Sequence, residues 1–167
     1  MEERVVIEEW FDAYSDDLYN FLIYYTGSSD VEDLIQETFI KAIRGYNSYK
    51  GEAKPKTWLY QIARRVAIDW ARKNKRMNGK NHMPLQEDQL SSSKTPEEVY
   101  QLEETKQEIY RAIRTLKRSY RDLLLLRCVK DFTVQETASV LEWSPNKVRV
   151  TYHRAMKALK KELRNHA

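Results

Sequence analysis

The segment at residues 57–73, TWLYQIARRVAIDWARK, constrains the fold more than any other part of the chain. Its apolar residues Leu59, Ile62, Val66 and Trp70 recur at helical spacing, which predicts an amphipathic helix with one face toward a core. A second stripe of the same helix combines arginine, amide and aromatic side chains: Trp58, Gln61, Arg65, Arg72 and Arg76. Such a surface suits phosphates and unstacked bases of nucleic acid, although an ordinary solvated helix face explains the same pattern.

The composition favours an all-α protein. The 167 residues include only 4 glycines and 4 prolines, too few for a sheet with many tight turns. The single cysteine, Cys128, excludes a disulfide framework and a cysteine-based zinc site within one chain, and fits a reducing compartment. The N-terminus does not look like a signal peptide, and no run approaches the ~20 apolar residues of a spanning helix. We therefore expect a cytoplasmic protein that does not insert into a membrane and needs no metal or cofactor.

Charge is distributed unevenly along the chain. Residues 1–37 contain 11 acidic side chains and one basic side chain, a net charge of −10. Residues 54–80 and 143–167 carry net charges of +8 and +6. The two basic segments suggest nucleic acid as a partner, whereas the acidic segment suits a basic protein surface or solvent.

The N-terminal half reads as two helices before the central one. Residues 5–25 form the first, with Gly27 ending it, and its predicted core stripe is Val6, Trp10, Tyr14, Leu18, Phe21, Leu22 and Tyr25. Ser29 and Glu32 form a capping box that opens the second helix. The second helix runs to about Arg44, with Gly45 as its stop. Its predicted buried residues are Val31, Leu34, Ile35, Phe39, Ala42 and Ile43.

The opposite face of the second helix carries Asp33, Glu37, Ile40 and Arg44, with Gln36 and Lys41 beside them. An exposed isoleucine in an acidic surface favours a protein-docking spot. A solvated acidic face with one tolerated isoleucine is the alternative.

The segments that flank the central helix are polar. The loop at residues 45–57 places tyrosines between lysines, which suits single-stranded nucleic acid, since rings stack on bases and amines hold phosphates. The alternative is that these tyrosines pack on the helix below. Residues 74–94 lack periodicity and are interpreted as a flexible linker between two domains.

The second half reads as four helices. Thr95 and Pro96 start one that runs to about Lys117, with an apolar side of Val99, Leu102, Ile109, Ile113 and Leu116. The next, residues 119–130, is apolar nearly all round and predicts the centre of a second core, in which Cys128 is a small buried hydrophobe.

The last two helices form a predicted helix-turn-helix. A T-x-x-E box at Thr133 and Glu136 opens the shorter helix, a break follows at Glu142, and Ser144 with Pro145 starts the longer basic helix. The inward residues of the two helices are Val134, Thr137, Ala138 and Leu141, then Val148, Tyr152, Ala155, Leu159 and Leu163. The outward face and its flanks carry Asn146, Lys147, Arg149, Val150, His153, Arg154 and Lys157. Arginine and asparagine can pair with a base edge in the major groove, and a plain helical hairpin with a solvated face is the alternative.

Three stretches, taken together, resemble the bacterial extracytoplasmic-function (group 4) sigma factors of the sigma-70 family. The stretch DVEDLIQETFIKAI resembles the region 2 helix that grips the polymerase clamp. KTWLYQIARRVAIDWARK resembles the segment that recognises and melts the minus-10 element. TVQETASVLEWSPNKVRVTYHRAMKALKKEL resembles the region 4 helix-turn-helix that reads the minus-35 element.

The resemblance implies a factor, not an enzyme, that binds core RNA polymerase and directs promoter-specific initiation, in a stress or envelope response. Its implied domains are region 2 at 1–73, a linker at 74–94 and region 4 at 95–167. The implied polymerase-docking residues are Asp33, Gln36, Glu37, Ile40 and Lys41. The implied minus-10 residues are Tyr46, Asn47, Tyr49, Lys50, Lys56, Trp58, Gln61, Arg64, Arg65 and Arg72. The implied minus-35 residues are Ser144, Asn146, Lys147, Arg149, Val150, His153, Arg154 and Lys157.

The resemblance also implies an anti-sigma factor, commonly membrane-anchored, and it has two departures. Arg65 stands where the family often has asparagine, and Glu142 stands where the helix-turn-helix break commonly has glycine. If the backbone at Glu142 is left-handed, its side chain adds strain.

Two other functions fit parts of the chain. A stand-alone helix-turn-helix regulator would bind duplex DNA without polymerase, but it leaves the acidic docking face and the tyrosine–lysine loop unexplained. A metal-dependent nuclease would use Asp30, Glu32, Asp33 and Glu37. Carboxylates in the first turns of a helix are more readily explained by capping and the helix dipole.

Overall fold

The computed structural model describes residues 2–77, 104–129 and 132–165. Within these ranges the regular structure is helical, which confirms the predicted all-α class. The chain divides into two compact units, the first containing three α-helices and the second the remaining ones. Two small helical domains are therefore confirmed, and the boundaries at 73 and 94 stay a prediction.

The N-terminal unit is built from α1 (Glu2–Thr26), α2 (Glu32–Gly45) and α3 (Pro55–Met77), each in contact with the other two. Its centre includes Leu18, Leu22, Leu59 and Tyr60, all fully buried. Both α1 and α3 are longer than their patterns predict. Gly27 ends α1 as expected, because its φ of 77° lies in the left-handed region that glycine adopts without strain.

The start of α2 differs from the prediction. Ser29 does not cap the helix; Val31 precedes its first residue, without a side-chain capping bond. The Val31 side chain is fully buried, and the Asp30 amide donates to the Ser28 hydroxyl at 3.1 Å. Burying a valine contributes about 1.5–3 kcal/mol, whereas a polar cap contributes about 1 kcal/mol. The buried valine therefore decides the register of this turn.

The buried face of α2 is narrower than predicted, because Ile43 is 47% exposed while Ala42 is fully buried. At 3.6 residues per turn, Ile43 lies about 40° beyond Phe39, outside the arc that faces α1 and α3. The helix ends at Gly45 as expected, but Gly45 has a φ of −94° and is not left-handed. The chain continues from it into a 3-10 turn at Tyr46–Ser48.

The C-terminal unit contains α4 (Glu104–Thr115), α5 (Arg118–Leu124), α6 (Val134–Leu141) and α7 (Pro145–Asn165). A π-helical turn, Leu125–Val129, extends α5, and α7 packs against all three other helices. The four leucines at 123–126 are at most 1% exposed, which confirms them as the centre of the second core. Ile109, predicted on the apolar side of its helix, is instead 37% exposed.

Some predictions lie outside the described residues. These are residues 78–94 of the linker, the helix start at Thr95 and Pro96, the side chains of Val99 and Leu102, and the burial of Cys128. The first four residues of the predicted linker, 74–77, are described and belong to α3. The helix α3 therefore extends one turn into the predicted linker, and where the linker begins and ends stays a prediction.

Candidate nucleic-acid interfaces

The turn between α6 and α7 is fixed by local hydrogen bonds. The amide of Glu136 donates to the Thr133 hydroxyl at 3.1 Å, and the Thr133 amide donates to the Glu136 carboxylate at 3.0 Å, so the predicted capping box is confirmed. Glu142 adopts the left-handed conformation at φ 63° and ψ 39°. The Ser144 hydroxyl accepts from the Lys147 amide at 3.1 Å and thereby starts α7.

The two faces of α7 differ sharply in exposure. Val148, Ala155 and Leu159 are buried as predicted, whereas Tyr152 and Leu163 are half-buried. The residues predicted to read the minus-35 element are all exposed: Ser144, Asn146, Lys147, Arg149, Val150, His153, Arg154 and Lys157. Val150 is 41% exposed, unlike the other valine of this helix. The structure thus presents one continuous polar surface with a single branched apolar side chain in it.

Two cations pack on aromatic rings at the base of α7. The ammonium of Lys147 lies 4.4 Å from the ring of Trp143, so a cation–π contact orients this lysine side chain. The guanidinium of Arg127 lies 5.3 Å from the ring of Tyr152 and donates to the Phe132 carbonyl at 2.6 Å. Arg127 therefore links the end of the π-helical turn to α7. Its role was not predicted, because an arginine after an apolar run carries no sequence signal of such a contact.

The predicted minus-10 residues are distributed over α3 and the loop before it. Asn47, Lys50, Arg65 and Arg72 are exposed. Tyr46, Tyr49, Lys56, Trp58, Gln61 and Arg64 are half-buried. The arginine stripe of α3 is therefore accessible, whereas the aromatic side chains are partly covered by their neighbours.

Tyr49 and Trp58 are stacked on each other. Their ring centroids lie 4.7 Å apart with an interplanar angle of 24°, and the Tyr49 hydroxyl donates to the Ala53 carbonyl. Burial raises the pKa of Tyr49 above its usual value, and the nearby Tyr14 and Tyr46 raise it further. The phenol thus stays neutral and able to donate. Tyr49 therefore packs on α3, as the alternative interpretation of the loop tyrosines predicted.

Lys56 is held by an acidic residue of α1. Its ammonium lies 3.7 Å from the Asp17 carboxylate, and the two side chains are 36% and 48% exposed. The same ammonium lies 5.9 Å from the ring of Tyr60. Exposed ion pairs of this kind contribute about 0–1 kcal/mol and are screened by salt, so Lys56 can exchange Asp17 for a phosphate at little cost.

The predicted docking face of α2 is accessible. Asp33, Gln36, Ile40 and Lys41 are exposed and Glu37 is half-buried, with Lys41 pairing to Glu37 at 3.8 Å. Ile40 is 41% exposed, and the exposed Ile43 lies one turn further along. The face therefore carries two apolar side chains where the sequence analysis expected one.

Comparison with known proteins identifies the family. The sigma-70 region 2 model matches residues 10–77, and the sigma-70 region 4 model matches residues 106–159. The ECF RNA polymerase sigma factor SigX of Bacillus subtilis (strain 168) is 37% identical over 158 residues, covering 92% of this chain and 81% of that protein. The sigma factor YlaC of the same organism is 32% identical over 168 residues, covering 98% of this chain and 95% of that protein. The chain belongs to the ECF RNA polymerase sigma factors.

This ECF sigma factor therefore acts in promoter-specific transcription initiation, with core RNA polymerase and promoter DNA as its partners. Two solved structures share its fold. The sigma factor RpoE in complex with the anti-sigma factor NepR, from Bartonella quintana, is similar with a TM-score of 0.71 and 22% identity, over 94% of this chain and 96% of that chain. CnrH in complex with the cytosolic domain of CnrY is similar with a TM-score of 0.70 and 17% identity, over 98% and 91%.

No group of three or more histidine, cysteine, aspartate or glutamate side chains within residues 2–77, 104–129 and 132–165 is placed to hold a metal ion. In the same ranges, no helix combines the length and apolar character needed to cross a membrane.

Trp10 is the residue near the predicted minus-10 loop of this sigma factor that sequence reasoning missed. It was assigned to the core stripe of α1, but it is half-buried, and its ring lies 5.7–5.9 Å from the rings of Tyr46, Tyr49 and Trp58. Its helical spacing is that of any core residue, so no signal in the sequence distinguishes it.

Proposed function

We propose that this sigma factor divides promoter recognition among three separate surfaces. In this proposal α2 docks on core polymerase, α3 with its loop holds the opened minus-10 strand, and α7 reads the minus-35 element. The observation that carries the proposal is the exposure of all eight predicted minus-35 residues, seven on the outward face of α7 and the eighth, Ser144, as the cap that starts this helix. Its apolar face meanwhile packs against three helices, so the polar side chains are presented on a rigid element.

For the minus-35 element, recognition would combine base edges and phosphates. Arg149 and Asn146 lie in the first turns of α7, the part of a recognition helix that contacts base edges. Lys157 lies about two turns beyond Arg149 and suits a phosphate. Val150 offers the apolar contact that a thymine methyl group accepts.

For the minus-10 element, the loop and α3 would offset the cost of opening DNA. Capture of an unstacked base on protein side chains contributes ~1–3 kcal/mol per base. The exposed Asn47 and Lys50 in the loop, with Arg65 and Arg72 on α3, supply polar contacts for the strand. Arg65 adds a positive charge where relatives often have an amide, so we propose that it contacts a phosphate.

Neither basic surface is extensive, so docking on polymerase is essential to the proposal. Once both units are tied to one polymerase, each binds DNA at the effective concentration that the other provides. Docking through the acidic face of α2 suits a basic surface of the polymerase, because opposite charges steer association.

We also propose an anti-sigma factor as regulator, a stress or envelope response as the setting, and the cytoplasm, where the polymerase works, as the location. The support is the family, together with the similar solved structure in which the sigma factor RpoE is bound to the anti-sigma factor NepR. We assign no catalytic residue, since each candidate surface is explained by binding.

The experiment that tests the proposal joins binding to transcription. Purified protein is mixed with bacterial core RNA polymerase, captured, and used for run-off transcription on a promoter library. We expect stable core binding and selective transcripts that share minus-35 and minus-10 sequences. Absence of core binding together with tight duplex binding by the protein alone would instead establish the stand-alone regulator. Activity on DNA without polymerase that a chelator abolishes would establish the nuclease.

A further inference from the structure

Four aromatic rings from three segments form one cluster, called here the aromatic cluster: Trp10 of α1, Tyr46 and Tyr49 of the loop, and Trp58 of α3. The Trp10 ring lies 5.9 Å from Tyr46, 5.7 Å from Tyr49 and 5.9 Å from Trp58. The contacts to Tyr49 and Trp58 are edge-on, at interplanar angles of 89° and 76°. These separations fall in the range at which aromatic pairs attract.

Trp10 joins the loop to a helix that is not adjacent to it in sequence. The loop's own hydrogen bonds, from the Tyr49 amide to the Tyr46 carbonyl and from the Tyr49 hydroxyl to Ala53, close on the loop itself. These two bonds shape the loop, and backbone bonds hold only its ends: the Tyr46 amide donates to the Ile43 carbonyl of α2, and the Trp58 amide of α3 donates to the Lys54 carbonyl. The Trp10 contacts attach the loop to α1, and the Tyr49–Trp58 stack attaches it to α3.

The exposure of the loop makes this attachment consequential. Asn47, Lys50, Gly51 and Glu52 are exposed, and Gly51 has a φ of 74° with open space around it. Because the aromatic side chains are the more covered part of an otherwise exposed segment, loss of their contacts should make local opening of the loop easier.

We propose that Trp10 is a positioning residue for the minus-10 loop: its indole fixes Tyr46, Tyr49 and Trp58 relative to one another and so sets which base the loop accepts. The inference rests on the proposed role of the loop in base capture. Trp10 itself does not touch the DNA. Its effect is preorganisation, because a loop already held in place loses less conformational entropy on binding and discriminates more sharply.

A purely structural role for Trp10 makes a different prediction. Loss of a core side chain lowers the stability of the whole N-terminal unit and slows initiation on every promoter by the same factor. Loss of a positioning residue changes the ratio between promoters that differ at the captured base. The ratio of initiation rates between promoters that differ at the captured base therefore distinguishes the two roles.

The test uses full-length protein assembled with core RNA polymerase. The wild type is first run on a promoter library to find the minus-10 position with the strongest base preference. Four templates that differ only at that base are then compared, and open-complex formation is followed by permanganate reactivity of unpaired thymines. Trp10→Ala and Trp10→Phe are compared with Phe11→Ala, which removes the neighbouring ring of α1 that packs 5.0 Å from Phe39.

We expect Trp10→Ala to reduce the ratio between the best and the worst base by about five- to tenfold, the loss of one or two aromatic contacts. Trp10→Phe should keep most of the wild-type ratio between the best and the worst base, and Phe11→Ala should leave this ratio unchanged. An equal slowing of all four templates by Trp10→Ala overturns the inference. If Trp10→Ala does not fold, Trp10→Leu replaces it, and equal ratios for Trp10→Leu and Trp10→Phe overturn the inference.

A second measurement does not depend on the loop's function. In the free protein, amide hydrogen exchange of residues 46–54 should be faster in Trp10→Ala than in wild type, while exchange of the buried α3 amides around Leu59 is unchanged. Unchanged loop exchange overturns the positioning role. A wild type without base preference, combined with faster loop exchange in the variant, would reject base capture by the loop while retaining the anchoring by Trp10.

Discussion

Glu142 carries the one positive φ among the described non-glycine residues. The Glu142 amide and the Trp143 amide both donate to the Ala138 carbonyl. A helix that ends in this way requires the left-handed conformation at Glu142. A side chain in that conformation costs about 1–2 kcal/mol, because its Cβ approaches the following carbonyl oxygen. The departure from glycine noted in the sequence therefore coincides with a strained position.

We predict that Glu142→Gly raises the free energy of unfolding of the C-terminal unit by about 1 kcal/mol, since relief of strain exceeds the extra entropy of an unfolded glycine. Urea unfolding followed by NMR signals of the C-terminal unit measures the change. Glu142→Ala is the matched control, because it removes the same carboxylate but keeps the Cβ atom. Equal stability of the two variants would contradict the strain.

At the scale of single elements, α2 illustrates how one helix separates stability from function. Leu34, Ile35, Thr38, Phe39 and Ala42 are buried against α1 and α3, while Asp33, Ile40 and Ile43 face outward. The outward residues contribute little to folding. The side chains of the Glu37–Lys41 pair are 45% and 46% exposed, so the pair contributes at most about 1 kcal/mol. This face can therefore be altered without loss of the fold.

The double variant Asp33→Lys with Glu37→Lys should weaken binding to core polymerase by at least tenfold, because it reverses the charge of the proposed docking face. Its free energy of unfolding should fall by about 1 kcal/mol at most, from the lost dipole and ion-pair terms. The control, Asp12→Lys with Asp16→Lys, changes net charge equally on exposed positions of α1. Core affinity equal to that of the control would refute docking through α2.

A second element-scale prediction concerns α7. Arg149→Ala should reduce discrimination between minus-35 sequences by ~1–3 kcal/mol, if its guanidinium pairs with a base edge. Lys157→Ala should weaken binding to all sequences alike and lower the salt dependence by about one counterion. Both are measured as holoenzyme affinity for a set of promoters at two salt concentrations. A uniform loss for Arg149→Ala would assign that arginine to a phosphate instead.

At the scale of the whole molecule, each compact unit has its own core. Leu18, Leu22 and Leu59 are fully buried in the first, and Ile113 with the leucines at 123–126 is buried in the second. Each core also contains a fully buried threonine, Thr38 in the first and Thr137 in the second. The two hydroxyls differ: that of Thr38 donates to the Leu34 carbonyl at 2.7 Å, whereas that of Thr137 has no hydrogen-bond partner among the described residues.

We predict opposite effects of the same substitution in the two units. Thr38→Val should destabilise the first unit by about 1 kcal/mol, because it deletes a made hydrogen bond. Thr137→Val should stabilise the second by about 1 kcal/mol, because it removes an unsatisfied buried hydroxyl. Urea unfolding monitored by NMR signals of each unit separates the two transitions, and the effects should add in the double variant. A shift of the same sign in both units would contradict the assignment.

The sequence by itself determined the features that depend on neighbouring residues. The helical class, the capping box at Thr133 and Glu136, the start of α7 at Ser144 and the exposed polar face of α7 were all predicted and are all present. The reason is that helix periodicity and capping act over three or four residues, so the pattern contains the cause. Three motifs in order were sufficient to indicate the family that the comparisons then established.

The tertiary structure decided the features that depend on what covers each face. The helix α2 begins after Val31 and not after the predicted cap Ser29, because burial of an aliphatic side chain stabilises the fold more than one polar cap does. Ile43, predicted to be buried, is exposed because the arc of α2 that faces α1 and α3 ends at Phe39. Trp10, predicted to be a core residue, instead contacts the loop, because the packing of α1 on α3 places Tyr49 and Trp58 beside it. Spacing along a helix tells which residues share a face, but contacts between segments distant in sequence determine what that face meets.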